Sequence, residues 1–365
     1  MGADVFSQKL KFGEKIMSAT NINAVKNIDF YEMEEVCAST LFPEVYQPGQ
    51  VKLKRRANRH PDCIMSNPDY IPDSKTLRRV LGWWFAPRLK SLGLYGETGT
   101  GKTELLLYVA DKLNEPVYLV KIHAALMPED IEGSKELVST DTGVITRNAP
   151  GLAAKAYRNG GLLILDEVDK ANAPLGCAMH GLVESKPWPI EQFNMVINCH
   201  PQCRVAGTAN TMGQGGHERY HTSNRMDQAL RSRFGWLQCH FPDPDGVREM
   251  QILSRKFGKK IPAAMLREKI KLANAFRDAL LGPKRDGKID NPLNAVFSTR
   301  TLVQWCNYCI AFGPDAVWRE SLDFAFQGAV DPECEEMAED IIQRLLGNLI
   351  NEKIPAVLGS FNPKP

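Results

Sequence analysis

The stretch GETGTGKT, made of Gly96, Glu97, Thr98, Gly99, Thr100, Gly101, Lys102 and Thr103, brings together the residue types that a phosphate chain requires. It satisfies the spacing G-x-x-x-x-G-K-[ST], follows the apolar run LGLY and opens the helical pattern KTELLLYVADKLN. Glycines let the backbone turn tightly and aim successive N–H groups at phosphate oxygens, while the helix N-terminus adds a favourable dipole. In this reading Lys102 reaches the β- and γ-phosphates of ATP and Thr103 offers its hydroxyl to Mg²⁺. The competing reading is a glycine-rich turn that fits by accident, and the strand, loop and helix context counts against it.

A second site lies in GLLILDEVD, where an apolar run ends in Asp166 and Glu167. Open α/β sheets bind ligands at this edge of their strands. Asp166 is expected in the outer shell of the Mg²⁺ beside Thr103, and Glu167 is expected to polarise an attacking water. Asp169 and Lys170 read as solvated charges at a helix start.

The segment GTANTMGQGGHERYHTSNRMDQALRSRFGW, residues 207–236, holds further candidates. His217 and His221 flank Glu218 at a spacing that would put two nitrogens on one helix face for a metal. The preceding GQGG and the lack of a third ligand nearby favour a loop instead. Cys306 and Cys309 have C-x-x-C spacing, but they share one face of an amphipathic helical pattern and read as packing residues. Cys199, His200 and Cys203 form another small group with no matching second pair. The basic run Lys52, Lys54, Arg55, Arg56 and Arg59 has no interleaved aromatic residues to stack on bases, so a solvated segment or an inter-subunit contact is expected over a phosphate-tracking surface.

Near-continuous apolar strands must position these groups. LGLY, PVYLVKI, GLLILDEVD, CRVAGTAN and GWLQCHFP alternate with helical patterns, which implies a five-stranded parallel sheet buried on both faces by flanking helices. SKTLRRVLGWWF precedes it as a helix with Ser74 as its N-cap. After FPDPDG the strand signals stop, and VREMQILSRKFG, AAMLREKIKLANAFRDALL, STRTLVQWCNYCIAF and MAEDIIQRLLGNLI read as helices of a smaller all-α lid. The expected layout is an N-terminal extension over 1–70, an α/β nucleotide-binding domain over 71–241, the helical lid over 242–350 and a tail over 351–365.

With both nucleotide motifs in place, the chain resembles an AAA+ ATPase with its P-loop domain and lid. Within that family it looks like the MoxR branch, and GTANTMG followed by RYH is most similar to the small, ATP-hydrolysing subunit of aerobic cobaltochelatase. The resemblance covers roughly residues 75–310. It implies that Asn210 is sensor 1, that Arg233 in ALRSRF is an arginine finger acting on a neighbouring subunit with Arg231 as the second choice, and that Arg300 in FSTRTL is sensor 2. The long connection over about 127–150 resembles the hairpin inserted into the second helix in that branch, where KELVS and GVITR flank the turn TDTG. HERYHTSNRMDQALRSRF departs from the cobaltochelatase subunit and looks more like general MoxR or McrB-type chains.

The resemblance therefore implies a homo-oligomer, a hexameric ring, that hydrolyses ATP to remodel a partner protein. A partner carrying a von Willebrand factor A domain is the first to look for. The alternatives are an ATPase subunit of a cobaltochelatase-type complex and a nucleic-acid-stimulated motor or defence ATPase. Bulk properties are neutral on this point. The 365 residues carry 45 Lys+Arg against 43 Asp+Glu, so no global field demands nucleic acid or a membrane surface. No apolar run is long enough to cross a bilayer, the N-terminus lacks the apolar core of a secretory signal, and the 9 cysteines form an odd set. A cytoplasmic protein is expected.

Overall fold

The computed structural model describes residues 29–354 apart from 50, 87–89, 141–142, 214–224, 286, 288 and 291. An antiparallel hairpin comes first, β1 (Met33–Cys37) and β2 (Lys52–Arg56), with the short helix α1 (Ala38–Leu41) between its strands. Ala38, Leu41, Phe42 and Leu53 join the core on one face of the main sheet. Within the basic run Lys52, Lys54 and Arg59 are exposed, as a solvated segment requires, whereas its arginines are tied to acidic partners and Arg56 is buried. Arg56 is 1% exposed with its Nε 2.6 Å from Glu115, Arg55 lies 2.7 Å from Glu34, and Arg59 lies 2.6 Å from Asp111. Burying Arg56 requires such a partner, because an unpaired guanidinium would lose its hydration with nothing in return.

Helix α2 (Ser74–Phe85) buries Leu77, Val80, Leu81 and Trp84. Its N-cap is Asp73, one residue earlier than expected, because that carboxylate accepts from both the backbone N and the Oγ1 of Thr76 at 2.7 Å. The phosphate-loop unit follows as β3 (Ser91–Tyr95) and α3 (Lys102–Lys112), and then β4 (Val117–Lys121). A short helix, α4 (Pro128–Glu132), leads into an antiparallel hairpin of β5 (Gly133–Thr140) and β6 (Gly143–Pro150). The chain continues through α5 (Leu152–Asn159), β7 (Gly161–Asp166), α6 (Ala173–Val183) and a small hairpin, β8 (Trp188–Ile190) with β9 (Met195–Ile197). β10 (Cys203–Ala209), α7 (Gln228–Ser232) and β11 (Phe234–Gln238) complete this half.

The five strands expected from their apolar runs form one parallel sheet in the order β11, β3, β10, β7, β4. β7 and β10 are apolar along nearly their whole length because helices cover both faces. Register then sets the site. Leu165 pairs with Gly207, and Thr208 and Ala209 pair with Leu94 and Tyr95, so the C-terminal ends of β3, β10 and β7 stand level.

The last part is helical: α8 (Val247–Phe257), α9 (Ala263–Leu281), α10 (Thr299–Ala311), α11 (Trp318–Phe326) and α12 (Glu335–Leu346). It has its own core, in which Phe276, Phe297 and Phe326 lie with ring centroids 4.6–5.4 Å apart and Trp305 stacks on Trp318. Cys306 and Cys309 are buried in it, in keeping with packing. Within that core Arg277 and Glu249 are both fully buried, paired through two bonds of 2.7 and 2.8 Å. Among the described residues no helix is long and apolar enough to cross a membrane.

Candidate functional site

The phosphate loop needs backbone conformations that ordinary side chains resist. Gly99 and Gly101 have φ of +78° and +85°, and a Cβ on Gly99 would also come within 2.7 Å of the Ser298 Oγ of the lid. Gly101 ends the loop and starts α3, which points the first N–H groups of the helix into the loop. Lys102 is 9% exposed, and its ammonium donates to the carbonyls of Gly96 at 2.7 Å and Glu97 at 3.0 Å and to Asn210 Oδ1 at 3.3 Å. Burial pushes its pKa down, opposed by the nearby negative groups. Thr98 Oγ1 approaches the same Asn210 oxygen at 3.4 Å, so Asn210 links the loop to β10.

At the end of β7, Thr103 Oγ1 donates to Asp166 Oδ1 at 2.8 Å. Thr208, buried in β10, donates to that oxygen at 2.6 Å and accepts from the Glu167 backbone N at 3.0 Å. Glu167 has φ 60° and ψ 45°, a left-handed conformation costing a non-glycine residue about 1–3 kcal/mol unless its surroundings impose it. Here the strand end turns abruptly, and Thr208 holds the turn. Lys170 Nζ lies 3.0 Å from the Glu167 carboxylate, close enough to fix its direction.

Asp169 corrects the expectation of a solvated charge. It is fully buried, and its Oδ2 accepts from the backbone N of Asn210 at 3.1 Å and from the N and Oγ1 of Thr211 at 3.2 Å. A carboxylate can be buried at this point because three donors replace its water. The consequence is that the backbone of Asn210 is held from the β7 side.

The lid closes the other wall. Ser298 caps α10 by accepting from the Thr301 N at 3.1 Å, and Thr299 Oγ1 donates to Glu249 Oε1 at 2.8 Å, tying the start of the helix to the buried Glu249–Arg277 pair. Arg300 is next in sequence and exposed to the cleft. The resulting cleft of about 630 Å³ is lined by the loop from Thr98 to Thr103, by Asp166, Glu167 and Asn210, and by Arg300.

Several lining residues were not found from the sequence. Arg248 and Lys256 project from α8, and Tyr70 enters from the segment before α2 with its hydroxyl 3.5 Å from the Gly101 carbonyl. Lys256 pairs with Asp69 at 3.3 Å, so this segment also bridges to the lid. Helix α8 has strongly one-sided polarity, a signal that its polar face is exposed but not that it faces this cleft.

Arg231 and Arg233 lie outside the cleft. Arg233 ends α7, where its Nη1 donates to the Ala229 carbonyl at 2.5 Å and its Nε lies 3.2 Å from Glu184. His217 and His221 fall outside the described residues, and among the described ones no group of three or more His, Cys, Asp or Glu side chains could hold a metal ion. The β5–β6 hairpin exposes Leu137, Val144 and Ile145.

Residues 91–234 match the AAA domain (dynein-related subfamily). Over 294 residues, 78% of this chain and 83% of the relative, the sequence is 26% identical to the aerobic cobaltochelatase subunit CobS of a Sinorhizobium species. Over 166 residues it is 28% identical to NorQ of Paracoccus denitrificans, a match covering 45% of this chain and little more than half, 57%, of that protein. Among solved structures, a Thermotoga maritima RuvB mutant is similar with a TM-score of 0.44 and 15% identity, over 76% of this chain and 79% of that one.

Proposed function

From a chain that belongs to the AAA+ ATPases of the MoxR branch, we propose an enzyme that hydrolyses Mg²⁺-ATP in a ring and uses the motion of its lid to remodel or activate a partner protein. The observation that carries the reading is convergence. Lys102, Thr103, Asp166, Glu167, Asn210 and Arg300 come from four separate stretches of sequence and line one cleft.

Lys102 and the loop N–H groups hold the β- and γ-phosphates. Thr103 Oγ1 and Asp166, hard oxygen donors 2.8 Å apart, fit a Mg²⁺ ion, Thr103 by direct contact and Asp166 from the outer shell. Such an ion supplies neutralisation of charge on the β- and γ-phosphate oxygens. Glu167 takes the role of orienting and deprotonating the attacking water. Asn210 has both an acceptor and donors, so its carboxamide can contact the water and the γ-phosphate together. Arg300 brings positive charge from the lid, which makes lid position depend on whether the γ-phosphate is present.

Arg233 is assigned to the neighbouring subunit's nucleotide, with Arg231 as the alternative. Its place outside its own cleft supports an action in trans, and such fingers are worth roughly 10³–10⁵ in rate. A hexamer with a von Willebrand factor A domain partner is the assembly this reading implies. The length of the match to the cobaltochelatase subunit favours a second reading, the ATPase of a metal-insertion complex. A large porphyrin-binding subunit encoded beside this chain would support it.

The test is Glu167→Gln, with steady-state phosphate release measured beside the parent and ATP affinity measured for both. The expected result is ATP binding retained and turnover lost. A parent with no turnover when assembled, or a variant with parental turnover, overturns the proposal.

A further inference from the structure

Arg233 closes α7, and Phe234, the residue after it, pairs with Ser91 at the start of β3. The phosphate loop leaves the other end of that strand, about 15 Å away along its five residues. Groups of the same subunit that surround Arg233, not its own cleft, must therefore set the direction of its guanidinium. The backbone there is anchored to β3. Lys90 Nζ donates to the Ser232 carbonyl at 2.7 Å, and the neighbouring Ser91 Oγ donates to the Val183 carbonyl, at the end of α6, at 2.6 Å.

Helix α6 supplies a platform for α7. Gly176, His180 and, just past the helix end, Glu184 recur at every fourth residue and so share one face. A Cβ on Gly176 would lie 3.6 Å from Leu230 of α7, so the two helices pack closely at that point. His180 Nε2 lies 3.8 Å from Asp227 Oδ2, and Asp227 caps α7 by accepting from the Ala229 N at 3.0 Å and the Leu230 N at 3.3 Å. Glu184 Oε1 lies 3.2 Å from Arg233 Nε, while Arg233 Nη1 donates to the Ala229 carbonyl at 2.5 Å. Two fixed groups thus hold adjacent corners of a planar guanidinium, and among the described residues its Nη2 has no hydrogen-bond partner. The other Glu184 oxygen, Oε2, lies 3.0 Å from Lys186 Nζ. That hydrogen bond first, and the Arg233 charge after it, hold the Glu184 carboxyl below its ordinary pKa against the effect of burial.

We propose that Glu184 is the positioning residue of the arginine finger, fixing the direction from which Arg233 reaches the nucleotide of the neighbouring subunit. The proposal rests on the assignment of Arg233 to that nucleotide. Glu184 itself touches no reacting atom; its carboxylate and the Ala229 carbonyl hold Nε and Nη1, and Nη2 is the corner left to meet the γ-phosphate. A misplacement of about 1 Å in such a group can cost about 10²-fold in rate. Loss of Glu184 should therefore lower kcat and leave ATP affinity, which depends on the distant phosphate loop, as it was.

The test uses the full chain as Glu184→Ala and Glu184→Gln, with ATP affinity, kcat and assembly size measured beside the parent. The expected result is parental affinity and assembly, with kcat about 10–100-fold lower for the Ala variant and less reduced for the Gln variant, which keeps an acceptor oxygen. Mixed assemblies then separate positioning from a merely structural role. With Glu167→Gln, whose finger is intact, Glu184→Ala should recover turnover above the sum of the two alone; with Arg233→Ala, which shares the finger defect, it should not. The pair Arg233→Ala with Glu167→Gln is the control for action in trans. If that pair recovers and Glu184→Ala with Glu167→Gln does not, the proposal fails while the trans reading stands; if neither pair recovers, both fall. A Glu184→Ala variant with the parental kcat overturns the proposal, and so does a faster one, because Glu184 would then restrain the finger.

Discussion

Replacing Thr208 with Val keeps the side chain's shape and removes one hydroxyl on which two parts of the site depend. Its Oγ1 donates to Asp166 at 2.6 Å and accepts from the Glu167 N at 3.0 Å, with the residue 1% exposed. A hydrogen bond to a charged group contributes about 1.5–3 kcal/mol, and an orphaned buried N–H costs about 1–3 kcal/mol. Glu167 adds a left-handed backbone that tends to relax once its brace is gone. If about 1.4–2.8 kcal/mol of this loss falls on the transition state, kcat drops about 10–100-fold. Binding of ATP should change little, because the phosphate loop of residues 96–103 is untouched. The assay is steady-state phosphate release over a range of ATP concentrations, with nucleotide affinity measured separately. Thr208→Ser should recover most of the rate. A Val variant with the parental kcat, or one that loses affinity in proportion to turnover, refutes the idea that Thr208 positions Glu167.

Arg277→Ala leaves Glu249 charged and buried, and should destabilise the lid by about 3–5 kcal/mol in denaturant titrations followed by the lid tryptophans, whereas the paired apolar replacement Glu249→Leu with Arg277→Met should cost less. Gly99→Ala forces a methyl toward Ser298 in a left-handed backbone, a strain of about 1–2 kcal/mol that should weaken ATP binding about 5–30-fold by calorimetry; unchanged affinity would mean that the lid does not meet the loop there.

The candidate site was legible where the residues assigned to one task are contiguous. The phosphate loop and the acidic pair each occupy a few consecutive positions, and an apolar run before each one locates it at a strand end. The five strands were legible for the same reason, since a strand buried on both faces is apolar throughout. Other parts depend on which side chain the fold turns inward. Asp169 lies two residues beyond Glu167 and reads as a surface charge, yet three donors from Asn210 and Thr211, about 40 positions away, hold it in the core. Arg56 reads as one charge among several, and only the fold reveals Glu115 against it. Tyr70, Arg248 and Lys256 reach the cleft from opposite sides of the α/β half, a meeting that no local spacing encodes. The left-handed backbone at Glu167 gave no signal either, because glutamate is not a residue type that marks such a turn.

The proposed active site is completed by two subunits, and the most direct test is to mix two variants that are each expected to be inactive. Glu167→Gln keeps Arg233 but lacks the group that activates water; Arg233→Ala keeps Glu167 but lacks the residue assigned to its neighbour. Assembled together, they place an intact Arg233 beside an intact Glu167 at some interfaces, and phosphate release should rise clearly above the sum of the two alone. Turnover equal to that sum, in assemblies shown to contain both variants, contradicts the account.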